Sequence, residues 1–253
     1  MHFMPASRTA AAPPALKPIL KPAPKSAALR AAPRRKAVTR AALRLADSYH
    51  HGDLRAALLR AAGELLAERG IEGFTLRECA RRAGVSHGAP AHHFGDAAGM
   101  LTAYAAQGYE RMTALMRDYQ ARAGADHGSR LKAAGLAYID FAVANRAQFQ
   151  LMFRSDRINP DDTEFAAAAE AAFEALAGAA RDAAPRASAD ATQISDRMLL
   201  AWSMVHGFAT LVLEGQLAHH YGKQSPRQFA RTVGERLVAL LRPALGDARG
   251  EGA

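Results

Sequence analysis

The run Thr75-Leu76-Arg77-Glu78-Cys79-Ala80-Arg81-Arg82-Ala83-Gly84-Val85-Ser86 leaves its backbone few choices. Thr75 and Glu78 make a Thr-x-x-Glu capping box, whose hydroxyl and carboxylate can satisfy orphan amides at a helix start. Leu76, Cys79, Ala80 and Ala83 follow at i, i+3, i+4 and i+7 and build one apolar face, with Arg77, Arg81 and Arg82 largely off it. Gly84 stops the helix after about two turns, Val85 supplies an apolar turn residue, and Ser86 is placed to cap the next helix. A short capped helix, a glycine turn and a second short helix make a helix-turn-helix over residues 75–94. Its second helix can project its N-terminal half into a major groove. A preceding helix is expected from Leu54, Leu58, Leu59, Ala62, Leu65 and Leu66, ending at Gly70, with Phe74 in the core.

Composition sets the class around that motif. Alanine dominates beside leucine, arginine and glutamate, and β-branched residues do not alternate, which favours helices over sheet. The expected class is all-α: an N-terminal three-helix DNA-binding domain and a C-terminal helical bundle. No apolar run approaches the roughly 20 residues of a membrane span. The one cysteine, Cys79, excludes an intramolecular disulfide framework and fits a reducing compartment.

The basic charge is local. Residues 1–46 hold ten Lys or Arg and no acid, and taking these from the formal +9 leaves residues 47–253 at about −1. This Ala/Pro-rich segment has few large hydrophobes and is expected to be a disordered basic tail. Three readings of it stay open: a non-specific electrostatic arm for DNA, a start codon assigned too far upstream, and a loose likeness to an organelle transit peptide. Order is expected from residue 47, with a DNA-binding domain over 47–101, a regulatory domain over 102–246 and a second disordered tail at 247–253.

Residues 75–88, with His92-His93-Phe94 and the chain on to Leu101, resemble the DNA-binding domain of the TetR family of bacterial regulators. The likeness covers roughly 47–101 and is densest in Ala-Gly-Val-Ser-x-Gly. Trp202, His206 and Gly207 resemble the Trp-His-Gly signature of one C-terminal branch, and Gln148–Phe153 is similar to a segment of that branch. The resemblance implies DNA contacts by Thr75, Arg77, Ser86, His87, Gly88, Ala89, His92 and His93. Arg77 can fork onto a guanine edge or hold a phosphate, His87 can bond a base edge, and Ala89 can touch a thymine methyl. Pro90 belongs in the first turn of the recognition helix, where its missing amide costs least. The same histidines could instead cover the surface or pack beside Phe94. The chain departs from the family at Ala91, where a phosphate-contacting tyrosine is usual, and at Ala97, where a lysine is usual.

Beyond Asp96 the chain reads as amphipathic helices. A long linking helix carries Leu101, Tyr104, Met112 and Met116, and an alanine-rich one runs from about Thr163 to Ala184. Of the last two, one has a stripe of Ile194, Met198, Trp202, Val205, Ala209 and Leu213. The other, entered at Ser225-Pro226, has Phe229, Val233, Leu237, Leu240 and Leu241. Paired across a two-fold axis they would form a four-helix dimer interface, as the resemblance implies; equally, the stripes could pack within one subunit. An inducer pocket is expected among Tyr138, Phe141, Phe149, Met152, Phe153, Trp202 and His206. Aromatics and methionines at this spacing also make plain core, and His206 could be bonded to a backbone carbonyl. A ligand there would be small and largely apolar.

The expected function is a homodimeric repressor in the bacterial cytoplasm, bound to a pseudo-palindromic operator and released by a small molecule, without cofactor, metal or membrane partner. Catalysis is not expected: no Gly-x-Ser-x-Gly, P-loop or zinc-spaced cluster is present, and neighbouring histidines on a helix diverge. The alternatives are a helical partner-binding module with a degenerate DNA head, and an activator with the same head.

Overall fold

Helix formers without period-two alternation give helices and no strand among the residues described by the computed structural model, 51–182 and 196–244. The readings of residues 1–46 and 247–253, the start at Asp47, the end at Ala184 and the place of Ile194 lie outside those residues.

The head is three helices: α1 (His51–Arg69), α2 (Leu76–Ala83) and α3 (Ala89–Phe94). Leu58, Leu59, Ala62, Leu65 and Leu66 are buried on the inner face of α1, and each such leucine contributes about 1.5–3 kcal/mol. Gly70, at φ +69, ends α1 in the left-handed region, and its amide bonds the Leu66 carbonyl at 2.9 Å. Cys79 is buried from α2 against α1, where its thiol donates to the Leu58 carbonyl at 3.3 Å. Burial pushes that thiol up to about 11, so it stays protonated.

α4 (Ala97–Arg122) leaves the head and becomes the spine of the body. It spans about 39 Å at 1.5 Å per residue. The body adds α5 (His127–Ala144), α6 (Arg146–Met152), α7 (Thr163–Asp182), α8 (Asp196–Leu213), a single 3₁₀ turn (Ala218–His220) and α9 (Pro226–Ala244). Small residues set the closest approaches. A Cβ on Gly135 of α5 would lie 2.8 Å from Val238 Cγ1, and one on Gly234 of α9 would lie 3.1 Å from Ile139 Cδ1. The α5–α9 pair therefore interlocks in both directions. Buried Gln148 of α6 donates to the Tyr104 carbonyl at 2.7 Å and accepts from Arg111 at 2.9 Å, fixing α6 on α4.

The apolar stripe read from α8 turns inward. Met198, Val205, Ala209 and Leu213 are buried and Trp202 is half-buried, within the one subunit. On α9, Phe229 is buried, and Val233 and Leu237 are half-buried. Phe229 packs against Phe208 and Tyr221, and α9 lies on α5 through Gly234 and Val238, so the α8 stripe and the first part of the α9 stripe face the core of the one subunit. On these two helices the apolar surface left outside is Leu199 at 47 % exposure, Leu200 at 46 %, Leu211 at 43 % and Leu240 at 68 %, of which Leu240 alone belongs to a stripe as read. Periodicity marks an apolar face but not which neighbour covers it.

Candidate DNA interface and ligand chambers

Thr75 caps α2, its Oγ1 accepting from the Glu78 amide at 3.2 Å. The reciprocal half of the capping box does not form. The Glu78 carboxylate accepts instead from Arg81, at 2.9 and 2.6 Å, and from Arg69 at 3.3 Å. Charge-assisted bonds to a guanidinium outcompete a neutral amide. The Arg81 hydrogen bonds hold Glu78 down at about 2. Arg82 forks onto Glu68 of α1 at 2.8 and 2.6 Å. Arg77 is exposed and makes no ion pair or hydrogen bond among the described residues. Of the three arginines of α2 it is the one whose guanidinium is uncommitted, which suits a phosphate or base contact.

The turn is closed by backbone. Gly84, at φ +70, donates to the Arg81 carbonyl, and Val85 donates to the Ala80 carbonyl at 3.0 Å. This is the paired-bond helix stop that glycine makes possible. Ser86 is exposed, and its side chain does not cap α3, contrary to the reading of the sequence. The Ser86 backbone carbonyl accepts from the Ala89 amide at 3.1 Å, and α3 starts behind Gly88 with no side-chain cap. One more turn of chain separates Ser86 from the helix than spacing implied. Pro90 is buried in the first turn of α3. Thr75, His87, Gly88 and His92 are exposed, and Ala89 and His93 are partly exposed, so the candidate DNA-contacting residues share an accessible stretch. His93 also packs toward Phe94 at 6.2 Å, the covering role left open for it. Gly99, in the first turn of α4, lies under the Phe94 carbonyl oxygen so closely that a Cβ would collide with it.

Two neighbouring chambers that share Phe153 lie behind the head. The smaller, about 290 Å³, is a half-open cleft in the body lined by Tyr109, Met112, Phe173, Leu176, Met198 and Trp202, with Tyr138 and Phe153. The larger, about 870 Å³, lies between α1 with its following turn and the walls formed by α6 and α8. Phe149, Phe153 and His206 line it. Phe153 borders both. Phe141 and Met152, expected at the pocket, line neither. Phe141 is buried beside the Arg111 guanidinium, and Met152 is buried where Gly108 leaves room for its sulfur. Tyr109, Met112, Phe173, Leu176 and Met198 had no sequence signal separating them from core.

His206 is not bonded to a backbone carbonyl. Its Nδ1 lies 2.8 Å from the Tyr138 hydroxyl, and the rings of Phe153, Phe149 and Trp202 lie 4.5, 5.7 and 5.8 Å away. Burial lowers its pKa, favouring the neutral ring. Burial also pushes the Tyr138 phenol far above its ordinary range, against a smaller pull from Trp202.

The loop after Phe153 reaches the head. Arg154 donates to Glu72 at 3.2 Å and to Asp156 at 2.7 and 2.8 Å, and Arg157 pairs with Glu72 as well. Glu72 stands in the turn between α1 and α2, so both arginines join the body to the helix-turn-helix. Arg55 of α1 adds a bond to Glu164 of α7 at 3.1 Å. These contacts span up to 109 residues of sequence, and no local pattern announces them.

Residues 58–104 match the bacterial regulatory proteins of the tetR family, and residues 131–237 match the tetracyclin repressor-like C-terminal domain. A protein of unknown function from Rhodococcus sp. RHA1 is 31 % identical, with a TM-score of 0.60 over 77 % of this chain and 98 % of its own. A bacterial regulatory protein in the tetR family from Rhodococcus RHA1 is 21 % identical, with a TM-score of 0.58 over 76 % and 97 %. The TetR family transcriptional regulator PfmR from Thermus thermophilus is 18 % identical, with a TM-score of 0.54 over 72 % and 97 %. The last two share the fold. No curated protein matches the chain. A capped helix-turn-helix on a helical body defines the class, a DNA-binding transcriptional regulator. The chain belongs to the TetR family. Among the described residues no helix is long and apolar enough to cross a membrane, and no metal-ligating cluster occurs.

Proposed function

We propose that two copies of this chain form a repressor that reads a pseudo-palindromic operator on the bacterial nucleoid, and that a small, largely apolar molecule releases it. The observation that carries the reading is the junction at Phe153. Its side chain borders both chambers, and the next residue, Arg154, holds Glu72 at the entrance to α2. A ligand that moves Phe153 thus moves a segment tied to the head. Ligand and DNA would then favour different arrangements, each weakening the other by the same factor. The smaller chamber sits at the low end of ligand-pocket volumes, which sets the scale of the ligand.

The exposed face of α8 supports the dimer. Leu200, Gly207 and Leu211 share one side at i, i+7 and i+11, and a Cβ on Gly207 would meet nothing within 4 Å. A bare mid-helix glycine beside exposed leucines lets another helix approach closely. A second copy of α8 and α9 would complete a four-helix bundle, setting the recognition helices about 34 Å apart.

The test is selection of duplex DNA by the full-length chain at physiological salt, followed by transcription from a promoter carrying the recovered site. We expect an inverted repeat whose recovery is lost in Arg77→Ala or His87→Ala, and less transcript when the protein is bound. Recovery of no site would point to a partner-binding module with a degenerate head, and more transcript to an activator.

A further inference from the structure

We infer that the molecule taken up by the body carries an uncharged hydrogen-bond acceptor bound by the Nε2–H of His206, with its apolar part in the smaller chamber and Phe153 displaced from between them. This rests on the ligand-binding reading above and adds the polar chemistry of the ligand.

Proton placement makes the case. Tyr138 is 2 % exposed, and its hydroxyl lies against His206 Nδ1. A buried O–H requires an acceptor. Were the imidazole proton on Nδ1, it would point at the phenol oxygen and the phenol hydrogen would have no acceptor. The arrangement that leaves no buried donor stranded has Tyr138 donating to Nδ1, which puts the ring proton on Nε2. That Nε2–H makes no hydrogen bond among the described residues, and the ring lines the larger chamber.

Phe153 is the partition. It borders both chambers, its centroid is 4.5 Å from that of His206, and it is already 37 % exposed at the head of a loop, so its ring can swing toward solvent by giving up its contacts with Tyr109 and Phe149. With Phe153 aside, the apolar chamber and the Nε2–H belong to one site. The charged groups on the larger wall are of both signs. Glu72 and Arg154 are already paired, with Arg146 and Glu214 exposed. No excess of either sign favours an ionised ligand, so a carbonyl, ester, amide or ether oxygen is the acceptor the site suits.

Trp202, the single tryptophan of the chain, lines the smaller chamber and reports occupancy by fluorescence. Acetophenone is titrated against α-methylstyrene, in which C=CH₂ replaces C=O. In His206→Phe the affinity for the ketone should fall about fivefold relative to the alkene, as loss of one neutral hydrogen bond implies. Nitrogen-15 NMR of the unaltered protein should find the His206 proton on Nε2, which holds as a test even if the variant folds poorly. A proton on Nδ1, or equal change for both probes, overturns the hydrogen bond and leaves the apolar chamber standing. Failure of both probes to quench Trp202 saturably overturns the ligand-binding reading itself, and this inference with it.

Discussion

Glu78 shows how one side chain can answer to the tertiary structure rather than to its local motif. Sequence spacing assigns it to the Thr75 box, yet two arginines take its carboxylate. Its folded value of about 2 lies below the ordinary 4.5, so its stabilising contribution is full above pH 4.5 and is lost as pH falls toward 2. Acid titration of Glu78→Gln, followed by circular dichroism, should show a shallower loss of stability across that window than the parent. Arg77, the uncommitted arginine of α2, should act through DNA alone. Arg77→Ala is expected to leave the melting temperature unchanged while weakening operator binding, measured by anisotropy across a salt series. If it holds a phosphate, the salt slope drops by about 1; if it reads a base, about 1–3 kcal/mol of discrimination disappears at one position. Gly99→Ala forces the α3–α4 corner open against the Phe94 carbonyl and should destabilise the fold by about 1–3 kcal/mol in urea melts.

At the scale of elements, the loop from Phe153 to Arg157 matters more for communication than for stability. Its ion pairs with Glu72 are largely exposed, and such pairs contribute about 0–1 kcal/mol. The double change Arg154→Ala with Arg157→Ala, which removes two such pairs, should therefore move the melting temperature by no more than about 8 °C. Amide exchange in α2 and α3 should rise all the same, because the body no longer holds the turn that leads into them. Unchanged exchange there would remove this loop from the route between chamber and head. The end of α1, both ends of α2 and the start of the long α4 were legible in sequence because Gly70, Thr75, Gly84 and Asp96 are local stop and start signals. The start of α3 was misread because Ser86 has the right chemistry for a cap, while the backbone closes the turn before its side chain is needed.

For the whole molecule, burial of neutral His206 links stability to pH. Its folded pKa lies below the ordinary 6.5, so the unfolded chain binds the proton first and stability falls as pH drops below about 6.5. Assembly has its own test. Gly207→Arg places a long side chain in open space on one subunit, so the fold should survive while sedimentation shows loss of the dimer. The sequence by itself determined the all-helical class, the helix-turn-helix and the family, because capping, glycine stops and apolar periodicity act within a few residues of one another. Tertiary structure alone decided that the α8 stripe is core, that Phe141 and Met152 line neither chamber, and that Glu72 is held from beyond Phe153. Those outcomes depend on which surfaces and charges meet across distant parts of the chain, and an apolar face or an arginine looks the same in sequence whichever partner it finds.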